Sequence, residues 1–154
     1  MKKLEILVLG LVLLADRVTK LLAASLLKPI REAPIIKGFF RLYYTQNTGA
    51  AFSMLDGHWW LLVLLPAAAC VFMCYLLFAK VIKNKPARMG ILLVMAGALG
   101  NLYDRIVYGY VVDMFDFTFV NFAVFNFADI SITAGAILLG VYVLFIAPKE
   151  EKAK

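Results

Sequence analysis

The chain has 154 residues, a formal net charge of +6 and a hydrophobic content of 64%. A soluble domain is roughly 45–50% apolar, and one soluble core of this length cannot hide the excess. Composition therefore excludes an ordinary soluble domain, intrinsic disorder and a disulfide scaffold. Most of the chain must lie in lipid, and basic residues at the edges of apolar runs favour membrane anchoring over nucleic-acid binding.

The first apolar run covers residues 4–27 and is interrupted by charge. Lys2 and Lys3 precede it, so a cleaved signal peptide is one interpretation. No A-x-A-like cleavage site follows the apolar stretch 6–15, and the apolar pattern resumes as far as Leu27. We therefore predict that the run is a retained first helix.

Three charged side chains lie close together in this first run: Asp16, Arg17 and Lys20. An ionisable group at bilayer depth costs several kcal/mol, so it pairs, lines a cavity or does chemistry. Asp16 and Lys20 are four residues apart, which predicts an ion pair on one helix face. We also expect Arg17 and Lys20 to extend to the outer interface.

Residues 28–58 form an outer segment with strand-like alternation at Phe40, Leu42 and Tyr44. This pattern predicts a small sheet resting at the lipid surface, with aromatic rings at headgroup level. Asn47 and Gly49, considered alone, indicate a turn. The single histidine, His58, sits in a polar turn and is a poor basis for a metal site or a catalytic triad.

Two later runs, 59–79 and 130–147, are uncharged and exceed the roughly 18 residues needed to span a bilayer. They predict helices at 59–80 and 129–147, and a shorter run predicts another at 89–105. Lysine and arginine cluster at 2–3, 80–88 and 149–154. Four membrane crossings place all three clusters on the same side of the membrane, whereas two crossings would leave the last two clusters on opposite sides. We therefore predict four passes with both termini cytoplasmic. Cys70 and Cys74 suit helix packing rather than metal binding.

The end of the predicted third helix carries Asn101, Asp104 and Arg105, whose spacing places them on one polar face. The preceding small residues, 97–100, allow close helix approach. A helix cap with an ion pair is an alternative interpretation of this face.

Asp113 and Asp129 flank the second outer segment, 106–128, in aromatic surroundings without an adjacent lysine or arginine. A surface loop residue and a helix N-cap are the alternatives for the two acids, and Asp116 is interpreted as solvated. If the fold brings Asp113 and Asp129 together, they share one proton and titrate as a unit. The ionised acid then acts as base on a water while the protonated acid polarises a carbonyl. That chemistry is peptide hydrolysis without a metal or cofactor.

Four ordered blocks carry a resemblance to a known family: 16–20, 47–52, 97–105, and 111–113 followed by 125–129. With these blocks the chain resembles the lipoprotein signal peptidases (signal peptidase II) of bacteria, from the first helix to about residue 147. The resemblance implies one domain over 1–154, an all-α membrane protein with four transmembrane helices and a small β cradle on the outer side.

The resemblance also implies an activity, a location and a set of site residues. The activity is that of an inner-membrane aspartyl endopeptidase that cleaves diacylglyceryl-modified prolipoproteins just before the lipidated cysteine, at a site facing the outer side. Membrane lipids surround it, a monomer is the simpler expectation, and the peptide antibiotic globomycin should inhibit it. The matching catalytic residues are Asp113 and Asp129. The supporting residues are Asp16, Asn47, Asn101, Arg105 and Asn126.

Two other functions compete with this one. A small ion-coupled transporter would use Asp16, Asp113 and Asp129 as proton carriers, yet transporters place carriers near the midplane and often contain repeats. An assembly protein with buried ion pairs would leave Asp113 and Asp129 without partners. We also expect the aromatic loop 39–52 to close over the substrate.

Overall fold

The protein is described by a computed structural model that covers residues 2–49 and 57–148. Its elements, in chain order, are α1 (Lys3–Leu22), β1 (Glu32–Ile36), β2 (Phe40–Asn47), α2 (Trp59–Phe78), α3 (Lys85–Tyr108), β3 (Val111–Phe117) and α4 (Phe127–Val141). Helices α1 and α4 each continue into a π-helical turn, Ala23–Leu27 and Tyr142–Ile146. The aromatic loop 39–52 was expected to close over the substrate, and its residues 50–52 lie outside the described residues. The basic residues at 149–154 also lie outside them.

Within the described residues, three helices are long and apolar enough to cross a membrane: α2, α3 and α4 with its π-helical turn. Their mean hydropathies are 2.6, 1.3 and 2.1. The all-α membrane class with a small sheet is confirmed, but the expected count of four is not reached by length and composition. Helix α1 has 20 residues, and its charged side chains interrupt the apolar pattern.

Helix α1 nevertheless runs alongside α3. Near its start, Glu5 pairs with Arg88 at 2.6 Å, and near its end Lys20 pairs with Asp104 at 2.9 Å. The two helices therefore run in the same direction over about 22 Å, at 1.5 Å per residue. These charges face α3 instead of lipid. Lys20 is only 1% exposed, so the expectation that it reaches the interface is wrong.

Helices α3 and α4 cross without room for side chains at the contact. A Cβ on Gly97 would collide with the backbone oxygen of Ala128, and a Cβ on Gly135 would lie 2.6 Å from the backbone oxygen of Gly90. The predicted close approach at the small residues 97–100 is confirmed. This contact holds the first turn of α4 against α3.

The sheet has the order β1-β2-β3 with both pairs antiparallel. The strand predicted from the alternation around Leu42 is confirmed as β2. Gly38, with φ +74°, allows the turn between β1 and β2. Tyr44 and Val112 pack against Leu27 at the end of the first helix, so the sheet is fixed to the end of the bundle where α1 terminates.

The start of α3 corrects two expectations. The helix begins at Lys85, four residues earlier than predicted, because Asn84 accepts the Ala87 backbone N–H at 3.2 Å and Pro86 occupies the first turn. Arg88 is therefore part of the helix and is 8% exposed. It does not belong to an exposed basic cluster.

The sheet corrects a third expectation, because Asp116 is not solvated. The register of β2 and β3 places Arg41 opposite Asp116, and Arg41 Nε donates to its carboxylate at 2.6 Å. Asp116 is 7% exposed. In α2, Cys70 packs against α3 residues in the core, so the predicted packing role is confirmed.

Candidate active site

Asp113 lies in the middle of β3 and is 2% exposed. Strand pairing brings the end of β2 beside it, because Thr45 is its register partner. Asn47, two residues further along β2, donates its Nδ2 to Asp113 Oδ2 at 3.0 Å. Asn126 donates its Nδ2 to the other carboxylate oxygen at 2.6 Å. Both oxygens of this acid therefore accept a hydrogen bond from an amide.

Asp129 is held in the first turn of α4. Asn126 caps the helix, since its Oδ1 accepts the Asp129 N–H at 3.0 Å and its own N–H donates to Asp129 Oδ2 at 3.1 Å. Asn126, not Asp129, is thus the N-cap. Phe125 pairs with Phe115 of β3 through backbone hydrogen bonds of 2.8 and 3.0 Å, which holds this turn against the strand.

Asn126 joins the two acids. Its side-chain amide bonds Asp113 and its backbone N–H bonds Asp129. Both carboxylates line one cavity of about 350 Å³, with Asp113 buried and Asp129 half-buried. The fold thus brings together two residues that are 16 positions apart in sequence, which is the condition stated for the two acids to act jointly.

Asn101 of α3 completes the amide frame around the acids. Its Nδ2 donates to Asp129 Oδ1 at 2.8 Å. Its Oδ1 accepts from Asn126 at 3.1 Å and from Lys20 Nζ at 2.9 Å. Because the oxygen already accepts two donors, the amide orientation is set and its NH₂ group faces Asp129.

Lys20 lies behind the cavity, and its tertiary contacts were missed by the sequence analysis. Its ammonium pairs with Asp16 at 3.0 Å, as the spacing predicted, and with Asp104 at 2.9 Å. Asp16 in turn accepts the backbone N–H of Ala128 at 3.0 Å. Asp16 therefore positions the first turn of α4 and is not among the residues lining the cavity.

The two remaining charged residues of α3 have different surroundings. Arg105 lines the cavity, donates its Nη2 to the backbone oxygen of Gly49 at 2.8 Å, and interacts electrostatically with both Asp113 and Asp129. Asp104 instead pairs with Lys20 and with Arg17, the latter at 3.0 Å. Asp104 therefore links α1 to α3 and does not line the cavity.

One wall of the cavity is apolar. Phe122, Val124, Phe125 and Ile132 line it opposite the amides. These residues were not predicted from the sequence, in which the aromatic richness of 106–128 is the available signal. The pKa of Asp113 is raised from its ordinary value to about 6. Burial is the main cause, the Asn47 hydrogen bond lowers the pKa, and the charge of Asp129 raises it. A proton on Asp113 is therefore accessible under mildly acidic conditions.

Between residues 2–49 and 57–148, no cluster of three or more histidine, cysteine or acidic side chains is arranged to hold a metal ion. The acids are held by amides. Two carboxylates in one cavity, both held by the same asparagine, are arranged in a way that suits acid–base chemistry.

Comparison with known proteins identifies the class more closely. Residues 8–145 match the family described as signal peptidase (SPase) II. The lipoprotein signal peptidase of Clostridium acetobutylicum is 37% identical, with 96% of this chain and 98% of the relative covered. That of Caldanaerobacter subterraneus subsp. tengcongensis is 39% identical, covering 92% and 97%. A solved bacterial membrane enzyme matches with a TM-score of 0.85 at 32% identity, covering 91% of this chain and 87% of that chain.

The chain belongs to the signal peptidase II family, whose members are membrane aspartic peptidases. The resemblance based on the four sequence blocks is confirmed, and so is the expectation of a bacterial membrane enzyme. The transporter alternative is not supported.

Proposed function

We propose that this protein removes the signal peptide from diacylglyceryl-modified prolipoproteins by cleaving just before the lipidated cysteine, with Asp113 and Asp129 as catalytic residues. The observation that carries the proposal is the bridge from Asn126 to both acids within one cavity. The printed names of the relatives, lipoprotein signal peptidases, support the substrate class.

The environments of the two acids support different roles. Asp129 accepts the Asn101 amide and a backbone N–H at the start of α4, where the helix dipole favours a negative charge. Asp113 is more deeply buried, and burial raises its pKa. When the two acids hold one proton between them, that proton therefore resides on Asp113.

Hydrolysis then proceeds without a covalent enzyme intermediate. Asp129 takes a proton from a water, whose oxygen attacks the scissile carbonyl carbon, while Asp113 donates its proton to the carbonyl oxygen. In the second half, Asp129 gives its proton to the departing amide nitrogen as the C–N bond breaks. Asp113 recovers a proton from the diol oxygen as the carbonyl re-forms, so both acids return to their initial states.

Other residues of the cavity hold the substrate and the acids. Arg105 lines the cavity, and we assign it to hold the peptide backbone of the substrate. Asn47, Asn101 and Asn126 hold the two carboxylates in position. Asp16 acts from behind, through Ala128. The apolar wall around Phe122 and Ile132 contacts the apolar side chains that precede the cleavage point.

The same proposal includes the topology. The chain crosses the bacterial cytoplasmic membrane four times, with both termini cytoplasmic and the cavity facing the outer side. Pairing of α1 with α3 at both ends supports the first pass, because α1 covers the same depth as a helix that qualifies as a span. Lipid-anchored substrate then reaches the site laterally from the outer leaflet. We expect a monomer that globomycin inhibits.

The test uses purified full-length protein and a lipid-modified precursor. Asp113→Asn and Asp129→Asn should each lower kcat by at least about 10²-fold, the lower range for loss of an acid–base group. Asp116→Asn is the matched control: it lies on the same strand but pairs with Arg41 and does not line the cavity. Its activity should stay near that of the wild type.

Two further results bear on the proposal. An unmodified precursor should not be cleaved, because the substrate is delivered through its lipid anchor. Near-normal turnover by folded Asp113→Asn or Asp129→Asn protein, checked by thermal unfolding, would show that the dyad is assigned wrongly.

A further inference from the structure

A second cavity, of about 480 Å³, lies at the end of the helices remote from the aspartates. Lys2, Lys80 and Lys83 line it, together with Arg88. It forms where α1 begins, α2 ends and α3 begins. Because the apolar span of α2 stops at Phe78, the cavity lies at the depth of lipid headgroups on that side of the membrane.

The arginine of this cavity is already neutralised. Arg88 donates to both carboxylate oxygens of Glu5, at 2.6 and 2.9 Å. It also donates to the backbone oxygens of Leu77 and Ile82, at 3.1 and 2.9 Å. Arg88 thus ties the three helix ends together, and its charge is matched by Glu5.

The lysines are not neutralised. Across residues 2–49 and 57–148, no carboxylate lies within ion-pair distance of the side-chain ammonium groups of Lys2, Lys80 or Lys83. The carboxylate of Glu5 accepts the Lys2 backbone N–H at 2.8 Å, but its charge is matched by Arg88. Three positive charges therefore line one cavity without a counter-charge from the described parts of the chain.

The backbone at Lys80 is a separate observation. This residue follows the end of α2 with φ +55°, the left-handed conformation in which glycine is usual. A lysine there costs backbone energy that glycine would not. Leu77 and Ile82 also line the cavity. We refer to these two residues, with their more than half exposed neighbours Phe78 and Val81, as its apolar rim.

We propose that this cavity binds the phosphate-bearing headgroup of an anionic phospholipid from the adjacent leaflet. The lysine ammonium groups match the phosphate charge, and the apolar rim contacts the acyl chains. Basic pockets between transmembrane helices bind anionic lipid headgroups in this way. A free phosphate would meet the lysines but leave the apolar rim without a partner, which favours a lipid. The site is independent of the proposed peptidase activity.

The test compares phosphatidylglycerol with phosphatidylcholine of identical acyl chains, added to the full-length protein in detergent. Phosphatidylglycerol should raise the Tm by several degrees more than phosphatidylcholine, and native mass spectrometry should detect its retention. In Lys80→Gly/Lys83→Gln the difference should fall to less than half. Glycine suits the left-handed backbone at position 80, so Lys80→Gly is not expected to lower the Tm in the absence of lipid.

The matched control is Lys28→Gln/Lys37→Gln, which removes two exposed lysines near the sheet and should keep the full difference. Equal effects of the two lipids on the wild type would overturn the proposal, as would a difference that survives in Lys80→Gly/Lys83→Gln. Inorganic phosphate that reproduces the Tm shift would assign the cavity to a free anion instead and overturn the lipid. None of these measurements depends on peptidase activity.

Discussion

The two ends of the helical bundle use buried charge differently. At the end remote from Asp113 and Asp129, Glu5 and Arg88 form one pair whose charges balance. Almost all hydrogen-bond donors of the Arg88 side chain are engaged. At the end that holds the active-site cavity, four carboxylates surround three cations. The carboxylates are Asp16, Asp104, Asp113 and Asp129, and the cations are Arg17, Lys20 and Arg105.

This difference separates a structural clamp from a reactive site. A matched ion pair with saturated hydrogen bonds has no proton to exchange near neutral pH. An excess carboxylate in a confined space keeps a proton, because two nearby acids do not both ionise readily. Asp113 is the member of the network in which burial and the charge of Asp129 act together.

The largest effect is expected at Lys20, because its ammonium group both forms ion pairs with buried acids and donates a hydrogen bond to the Asn101 amide. Lys20→Met leaves Asp16 and Asp104 buried without this partner, which should cost about 3–5 kcal/mol of unfolding free energy. It also frees the Asn101 amide to turn away from Asp129. Loss of a hydrogen bond to a charged group predicts a fall in kcat of about tenfold or more.

Unfolding free energy and steady-state kinetics on a lipid-modified precursor measure both effects. Lys28→Met, which removes an exposed lysine from the end of the same helical segment, is the control. A folded Lys20→Met enzyme with wild-type kcat would contradict the positioning role, whatever its stability.

At the remote end, Arg88→Met should destabilise without affecting the chemistry. It leaves Glu5 without its partner, and we expect about 3 kcal/mol, the lower part of the range for a buried pair, because this pair lies near the membrane edge. The double variant Glu5→Leu/Arg88→Met should recover much of the loss, since no isolated charge remains. A reduced kcat for folded Arg88→Met protein would show that the two ends are coupled.

The sequence predicted the parts of this comparison that depend on local spacing. Asp16 and Lys20 are one helical turn apart, so their ion pair was predictable. The alternation around Leu42 predicted β2, and the small residues around Gly97 predicted the helix crossing. Asp113 and Asp129 were singled out because each is a carboxylate among aromatic residues without an adjacent cation.

Contacts between distant segments were not predictable in the same way. Glu5 and Arg88 are 83 residues apart, and without their partners they only interrupt an apolar pattern. The burial of Asp116 depends on the register of β2 against β3, which sets Arg41 opposite it. Pro86 precedes the predicted start of the third helix at residue 89, although proline is also common in the first turn of a helix.

The pH dependence of stability should distinguish the acidic end from the balanced pair. The pKa of Asp113 in the folded protein is about 6, against an ordinary value of 3.8. Between these values the folded state binds more protons than the unfolded state, so this group lowers stability as the pH rises. The shift corresponds to at most about 3 kcal/mol, fully lost above pH 6.

Asp113→Asn should remove this dependence. Relative to the wild type, its unfolding free energy should improve as the pH rises from about 4 to 7. The new NH₂ group meets an amide donor from Asn47 or Asn126, which lowers the stability of the variant by an amount that does not depend on pH. The comparison therefore uses the slope of the unfolding free energy against pH. Parallel stability curves for the two proteins over this pH range would argue against a raised pKa at Asp113.

A smaller effect is expected when the hydrogen bond from Asn47 is removed. This bond holds the pKa of Asp113 down, so Asn47→Leu should raise it. Since kcat/KM reports the groups of the free enzyme, its decline, expected above about pH 6 for the wild type, should move to higher pH. An unchanged profile in a folded, active variant would contradict the proposed role of Asp113 as the proton-bearing acid.

The smallest effect is expected on the sheet, where an exposed ion pair lies beside a buried one. Arg41 pairs with Glu32 and with Asp116 at the same distance, 2.6 Å, yet the side chain of Glu32 is 50% exposed and that of Asp116 only 10%. Glu32→Gln should therefore cost no more than about 1 kcal/mol, and less at high salt because exposed charges are screened. Arg41→Gln should cost more, since it leaves Asp116 buried without a cation. Equal losses from both variants, measured at low and high salt, would mean that burial does not determine the value of an ion pair in this protein, and the contrast between its two ends would then need another cause.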